Sequence, residues 1–340
     1  MPVLRPHPGQ AMAQRATYRI LSLDGGGIRG LITAIWLDRL GQALDPPLWR
    51  HFDLVAGTST GAILACAVAG GVDTRRIIRL YSGDGWKVFP SPRSGLARRV
   101  ARFRPTWIGG PRYRGRGLED ALEAVFDGAR FEDLKPRVLV PAYDTFTGRP
   151  VIFKNDRARH RRILVRDVCR ASAAAPTYFP PHQLRIGGAK VPLIDGGVVA
   201  NNPTACAIAE AVRVNRAGPD QERPAYGLAD LLVASFGTGD VVRRITGDEA
   251  RRWSAVRWAE PVIDVLFSGS SDAVDYIARQ LIPRENYFRF QFPLDREYEA
   301  MDNARPKNLD VLTHLAIDYI DCGEGRRKLE GLVERLNATE

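Results

Sequence analysis

The sequence is poor in the residues that most metal and disulfide proteins need. Its four cysteines, Cys66, Cys169, Cys206 and Cys322, are scattered without a CxxC spacing, which argues against both a zinc site and a disulfide framework. They are expected to be reduced, buried thiols, and no metal or other cofactor is expected. The first sixteen residues lack the apolar run of about 7 or more residues that a secretory signal requires, and residues 1–16 are expected to be a flexible tail. Nowhere does an apolar stretch approach the ~18 to 20 residues that span a bilayer, so any membrane contact is expected to be peripheral. Histidine is scarce as well, at five residues, which matters below.

What is abundant is arginine. Lys+Arg total 49 against 39 Asp+Glu, a net charge of +10 that draws the surface toward anionic headgroups or phosphates. Much of it gathers between Ser91 and Gly117, where Arg93, Arg98, Arg99, Arg102, Arg104, Arg112, Arg114 and Arg116 alternate with Phe103, Trp107 and Ile108. That mixture suggests contact with an anionic membrane, although a solvated basic surface is the plainer explanation.

The chain repeats a strand, glycine turn, helix grammar. Tyr18 to Leu23 reads as a buried strand, Asp24-Gly25-Gly26-Gly27 as its stop, and Leu31 to Leu44 as a helix. Phe52 to Ala56, Gly57 to Gly61 and Ala62 to Ala69 follow the same order. Two such units in succession argue for a parallel sheet. Further strands are expected at 137–142, 151–154, 191–194 and 231–236, and helices near 118–126, 203–215, 261–281 and 308–320. The fold class is therefore α/β, three layers with helices on both faces of a central, mostly parallel sheet. The main domain is expected at residues 17–240, with 241–340 a helical extension packed on it.

Two motifs carry chemistry. Gly57-Thr58-Ser59-Thr60-Gly61 fits G-x-S-x-G between an apolar strand and an apolar helix, the setting of a nucleophile elbow with Ser59 as nucleophile. Such a serine needs a base, and none of the five histidines is well placed: His7 is in the tail, His51 precedes the strand, His160 and His182 sit in loops, and His314 lies in a helix. Asp195, at a strand end before Gly196 and Gly197, is the better candidate. The second motif, Asp24-Gly-Gly-Gly-Ile-Arg-Gly30, places several unobstructed amides at a helix mouth, where they could hold an oxyanion or a phosphate. It also fits G-x-G-x-x-G through Gly25, Gly27 and Gly30, with Asp53 a conceivable ribose acid, so a dinucleotide or phosphate module without catalysis is a rival.

Together, Asp24-Gly-Gly-Gly-Ile-Arg-Gly30, Gly57-Thr-Ser-Thr-Gly61, Ala171-Ser-Ala-Ala-Ala-Pro-Thr-Tyr-Phe-Pro180 and Asp195-Gly-Gly197 resemble the ordered signature of patatin-like phospholipases. Ser235-Phe-Gly-Thr-Gly239 extends the similarity to about residue 240, and Met301 to Asn308 is similar to bacterial members. The resemblance implies a phospholipase A type acyl hydrolase working through a Ser59/Asp195 dyad and an acyl-enzyme, without a metal. It puts the oxyanion hole at the amides of Gly25, Gly26 and Gly27. Arg29 is grouped with that loop, where it touches a lipid phosphate or ties the loop to a carboxylate. Transfer of the acyl group to another acceptor would use the same residues. The expected partners are a phospholipid and an anionic membrane surface, with the protein cytoplasmic and peripheral at the inner membrane when active; no nucleic-acid polymer is expected. Bacterial relatives include antiphage effectors switched on by cyclic oligonucleotides, and such an activator is compatible with this chain's length and charge.

Overall fold

The computed structural model describes residues 17–83, 85–90, 110–214, 226–241, 245–258 and 261–338. The tail expected at 1–16 and the arginines from Arg93 to Arg104, with Phe103, Trp107 and Ile108, lie outside these residues.

Among the described residues ten strands form: β1 (Tyr18–Leu23), β2 (Leu54–Gly57), β3 (Arg137–Asp144), β4 (Arg149–Lys154), β5 (His182–Ile186), β6 (Ala189–Asp195), β7 (Leu231–Phe236), β8 (Asp240–Val241), β9 (Tyr287–Phe290) and β10 (Pro293–Leu294). The main sheet runs β5-β6-β3-β2-β1-β7-β9, with β4 also paired to β3. It is parallel from β3 through β2, β1 and β7 to β9, and antiparallel where β3 meets β4 and β6 and where β6 meets β5. The two-residue strands β8 and β10 pair separately.

The longer helices are α1 (Gly30–Ala43), α2 (Thr60–Ala69), α3 (Thr74–Ser82), α4 (Arg116–Phe126), α5 (Val165–Ser172), α6 (Thr204–Val214), α7 (Pro261–Leu281), α8 (Pro306–Asp321) and α9 (Gly323–Asn337). Alternation along the strands separates two cores. Leu21, Leu23 and Val55 pack with α1 to α5, α8 and α9 on one face, whereas Ile20, Leu54, Ala56 and Val233 pack with Ala207 and Ala211 of α6 and Ala278 of α7 on the other. This is the expected three-layer α/β/α arrangement. Every residue of α2 is buried, since it is sandwiched between the sheet and other helices.

The structure adds to the expectations from sequence in three places. The residues beyond 240, expected to be helical, also supply β9, which lies beside β7 and extends the parallel sheet. Strand β5 was not anticipated because an edge strand reading His-Gln-Leu-Arg-Ile has one apolar face and looks polar overall. The cysteines are only partly the buried thiols expected: Cys66 and Cys169 are buried, but Cys206 is half-buried and Cys322, at the junction of α8 and α9, is exposed.

Candidate active site

Ser59 stands between β2 and α2 with φ of 55°, a left-handed backbone that a serine adopts only where its surroundings enforce it. Those surroundings are built from glycine. A Cβ at Gly57 would strike the carbonyl of Gly61, and one at Gly61 would strike the carbonyl of Leu23, so strand, turn and helix can approach only with both side chains absent. Three hydrogen bonds clamp the turn. Thr58 Oγ1 donates to the Ala200 carbonyl at 2.6 Å, the Ser59 amide donates to Ser172 Oγ at 3.0 Å, and Ser172 Oγ donates to the Pro141 carbonyl at 2.7 Å. Ser172 belongs to the 171–180 block, but nothing in its sequence context marks it as the partner of the nucleophile amide.

Asp195 closes β6, in register with Ala142 of β3, and its amide donates to Ala174 O at 3.0 Å. Ser59 Oγ donates to Asp195 Oδ2 at 2.8 Å, and the Gly197 amide donates to Oδ1 at 2.7 Å. The carboxyl is fully buried, and burial pushes it up to about 7; the hydrogen bonds from Gly197 and Ser59 oppose that shift without cancelling it. Gly196 and Gly197 are required by crowding, since a Cβ would meet the Pro141 carbonyl at the first and the Phe267 ring, at 2.8 Å, at the second.

The glycine loop is narrower as an anion site than the sequence suggests. The Gly25 amide donates to Asn201 O at 3.0 Å and the Arg29 amide to Gly26 O at 3.2 Å, so neither is available to an oxyanion. The amides of Gly26 and Gly27 donate to no acceptor among the described residues, and both residues line the cavity in front of Ser59. Gly27 (φ 59°) presses against the Met301 carbonyl, which accepts from the Ile28 amide at 2.8 Å and so pins the loop from outside. Arg29 is buried and outside the cavity lining; its Nε lies 3.4 Å from Gly26 O, so it ties the loop to a carbonyl instead of a carboxylate. Gly30 lets α1 pass the Thr60 and Tyr81 side chains.

Asp24 has a different partner. It is buried against Arg289 of β9, Oδ2 to Nη2 at 2.6 Å, and Arg289 Nη1 donates to Ser235 Oγ at 2.9 Å. Asp53, weighed above as a ribose acid, accepts the Arg19 amide at 2.8 Å. The described histidines are engaged away from Ser59: His51 with Asp45 O, His160 with the Lys154 amide, His182 near Asp167 and His314 with Asp310 O. Burial and nearby arginines hold His160 down to about 4.

Ser59 and Asp195 look into a cavity whose wall is almost wholly apolar, including Ile63, Leu80, Val88, Phe89, Leu122 and Phe179. A serine hydroxyl at the wall of an apolar cavity, with a carboxyl in hydrogen-bond reach and two free amides beside it, has the chemical groups that attack on an acyl ester requires.

Residues 21–208 match the family model described as "Patatin-like phospholipase". "Patatin-like protein 1" of Oryza sativa subsp. indica is 32% identical, over 97% of this chain and 85% of its own. A "cGAMP-activated phospholipase" of Pseudomonas aeruginosa is 33% identical, over 80% of this chain and 78% of its own. Among solved structures, VipD from Legionella pneumophila is similar with a TM-score of 0.42 at 14% identity, covering 88% of this chain and 67% of that one.

Proposed function

This chain belongs to the patatin-like phospholipase family, and we propose that within it the protein is a phospholipase A type acyl hydrolase using Ser59 as nucleophile and Asp195 as base. The observation that carries the proposal is the 2.8 Å contact between Ser59 Oγ and Asp195 Oδ2 at the mouth of an apolar cavity. Asp195 takes the Ser59 proton as Oγ attacks the acyl carbonyl, and the amides of Gly26 and Gly27 receive the oxyanion. The protonated carboxyl then returns its proton to the departing alcohol. Water, deprotonated by Asp195, releases the fatty acid from the acyl-enzyme. A carboxyl held near 7 suits both roles, because a base and an acid of that strength are each accessible at neutral pH.

The same acyl-enzyme could be discharged by another alcohol, so product analysis decides between hydrolysis and transfer. The resemblance to a cGAMP-activated phospholipase supports a second element of the proposal, that a cyclic oligonucleotide switches the enzyme on in antiphage defence. Purified protein is incubated with phospholipid vesicles, with and without a panel of cyclic dinucleotides, and released fatty acids are read by mass spectrometry. Labelling of Ser59 by a fluorophosphonate is expected. Fatty-acid release that persists unchanged in Ser59→Ala would overturn the dyad, and equal rates with and without every cyclic dinucleotide would overturn the activator.

A further inference from the structure

Helix α7 turns an apolar stripe toward solvent. Of nine exposed large hydrophobic side chains among the described residues, six lie on this helix: Val262, Val265, Leu266, Tyr276, Ile277 and Leu281. Val262, Val265, Leu266, Tyr276 and Ile277 are spaced by three or four residues or multiples of that spacing, and with exposed Gly269 and Ala273 between them they occupy one side of the helix. The opposite side is the packed one. Phe267 lies against Gly197 in the cavity wall, Ser271 Oγ accepts from Asn201 Nδ2 at 2.9 Å, and Ala278 is fully buried. A surface helix normally points its polar side at water, whereas here apolar side chains outnumber the exposed Asp272, Arg279 and Gln280 on the outward side.

We propose that the outward stripe of α7 is the surface on which the protein seats itself on a phospholipid bilayer. This rests on the acyl-hydrolase reading and deepens it by naming the face from which substrate enters. Continuity is the first argument. The inner side of α7 walls the catalytic cavity through Phe267 while its outer side exposes Leu266 at 60%, and Val198, 47% exposed, stands three residues from Asp195, so the helix that carries the stripe also borders the site. A bilayer against this face delivers acyl chains to the cavity, whereas a protein seated there would cap it. Charge is the second argument. The segment leading into α7 exposes Arg251, Arg252 and Arg257, and it carries Trp253 and Trp258 packed edge to face at 5.1 Å with Arg257 over the Trp253 ring. Tryptophan beside arginine suits the headgroup layer, where the ring spans the polar boundary and the guanidinium meets lipid phosphate. No described helix is long and apolar enough to cross a membrane, and α7 is held to the protein by its inner side, so seating is shallow.

The test is the double variant Leu266→Ser/Ile277→Ser, two outward positions that line no cavity. Binding to vesicles of phosphatidylcholine and phosphatidylglycerol is read by co-sedimentation, alongside hydrolysis of vesicle lipid and of a soluble short-chain ester. Vesicle binding and vesicle hydrolysis should fall together by about tenfold or more, and the soluble ester should be cleaved at the unaltered rate. Binding equal to that of the unaltered protein would overturn the proposal. So would a homodimer in solution that the two substitutions dissociate, since the stripe would then be a self-association face. If the unaltered protein binds vesicles through this face yet cleaves neither substrate even with the panel of cyclic dinucleotides present, the hydrolase reading fails and the docking surface stands.

Discussion

Replacing Asp195 by asparagine should cost the protein its activity and increase its stability. Asparagine reproduces both native contacts, its Oδ1 accepting from the Gly197 amide and its Nδ2 donating to Ser59 Oγ, the partners now at 2.7 and 2.8 Å. It removes only the charge. Burial raises the aspartate from 3.8 to about 7, so the folded protein holds that proton more tightly than the unfolded chain does. Stability from this group is therefore fully present below about pH 4 and is lost as pH rises through 7. At 1.36 kcal/mol per pH unit the loss at pH 8 is on the order of 4 kcal/mol, an upper bound because a folded protein relaxes around a buried charge. The asparagine side chain does not titrate and escapes that loss. Thermal unfolding of both proteins from pH 5 to 9 should give a variant whose Tm exceeds that of the parent by several degrees at pH 8, the gap closing as pH falls. Turnover of the variant should drop by roughly 10³-fold or more. A Tm difference that does not change with pH would refute the reasoning, since Asp195 would then not be a buried carboxylate ionising near neutrality.

The other expectations follow from single contacts. Ser59→Ala should lower acyl release by on the order of 10³-fold or more while leaving the folded structure intact, read by fatty-acid release and circular dichroism. The pH profile of kcat/KM for the parent should fall on the acid side with an apparent pKa near 7, because Asp195 must be ionised to act as base; a limb near 4 would contradict the burial argument. Ser172→Ala removes the acceptor of the Ser59 amide and the donor to Pro141 O, so kcat should drop by about tenfold with KM little changed, and Ser172→Thr should recover part of it. Asp24→Asn leaves Arg289 charged and unpaired in the core; unfolding should become easier by about 3 to 5 kcal/mol, and activity per folded molecule should be largely retained.

The parts legible in sequence were those whose signal is local. Strand β1, Tyr-Arg-Ile-Leu-Ser-Leu, is a largely apolar run stopped by Asp24 and three glycines, and the elbow declares itself because Gly57 and Gly61 are imposed by contacts within a few residues or with the adjoining strand. What escaped depends on distant parts of the chain. Strand β9 reads Tyr-Phe-Arg-Phe, and a buried arginine argues against a core strand until Asp24, 265 residues away, is known to meet it. The glycine loop shows the same limit at finer scale. Its glycines promised free amides at Gly25, Gly26 and Gly27, but Asn201, reached through a turn after β6, takes the first of them. Sequence indicated where amides could be free, and only the assembled fold indicated which of them were spent on holding the loop.

Asp24, just after β1, and Asp195, at the end of β6, are both almost wholly buried and both followed by glycines, and their partners differ. Burial raises each carboxyl. At Asp24 the Arg289 guanidinium at 2.6 Å works against that rise, and Ser235 holds the guanidinium in turn, so the charge is neutralised within a fixed network joining β1, β7 and β9. Such a pair locks three strands together and has no proton to lend. At Asp195 the forces opposing burial are one backbone amide and the Ser59 hydroxyl, and among the described residues no cation joins them, so the carboxyl is held up near 7. An arginine beside Asp195 would keep it ionised at every working pH but would make it too weak a base to draw a proton from serine. On the proposed mechanism, that no cation among the described residues opposes the burial of Asp195 matters as much as the 2.8 Å contact to Ser59, and the cation beside Asp24 suits that aspartate to a structural part.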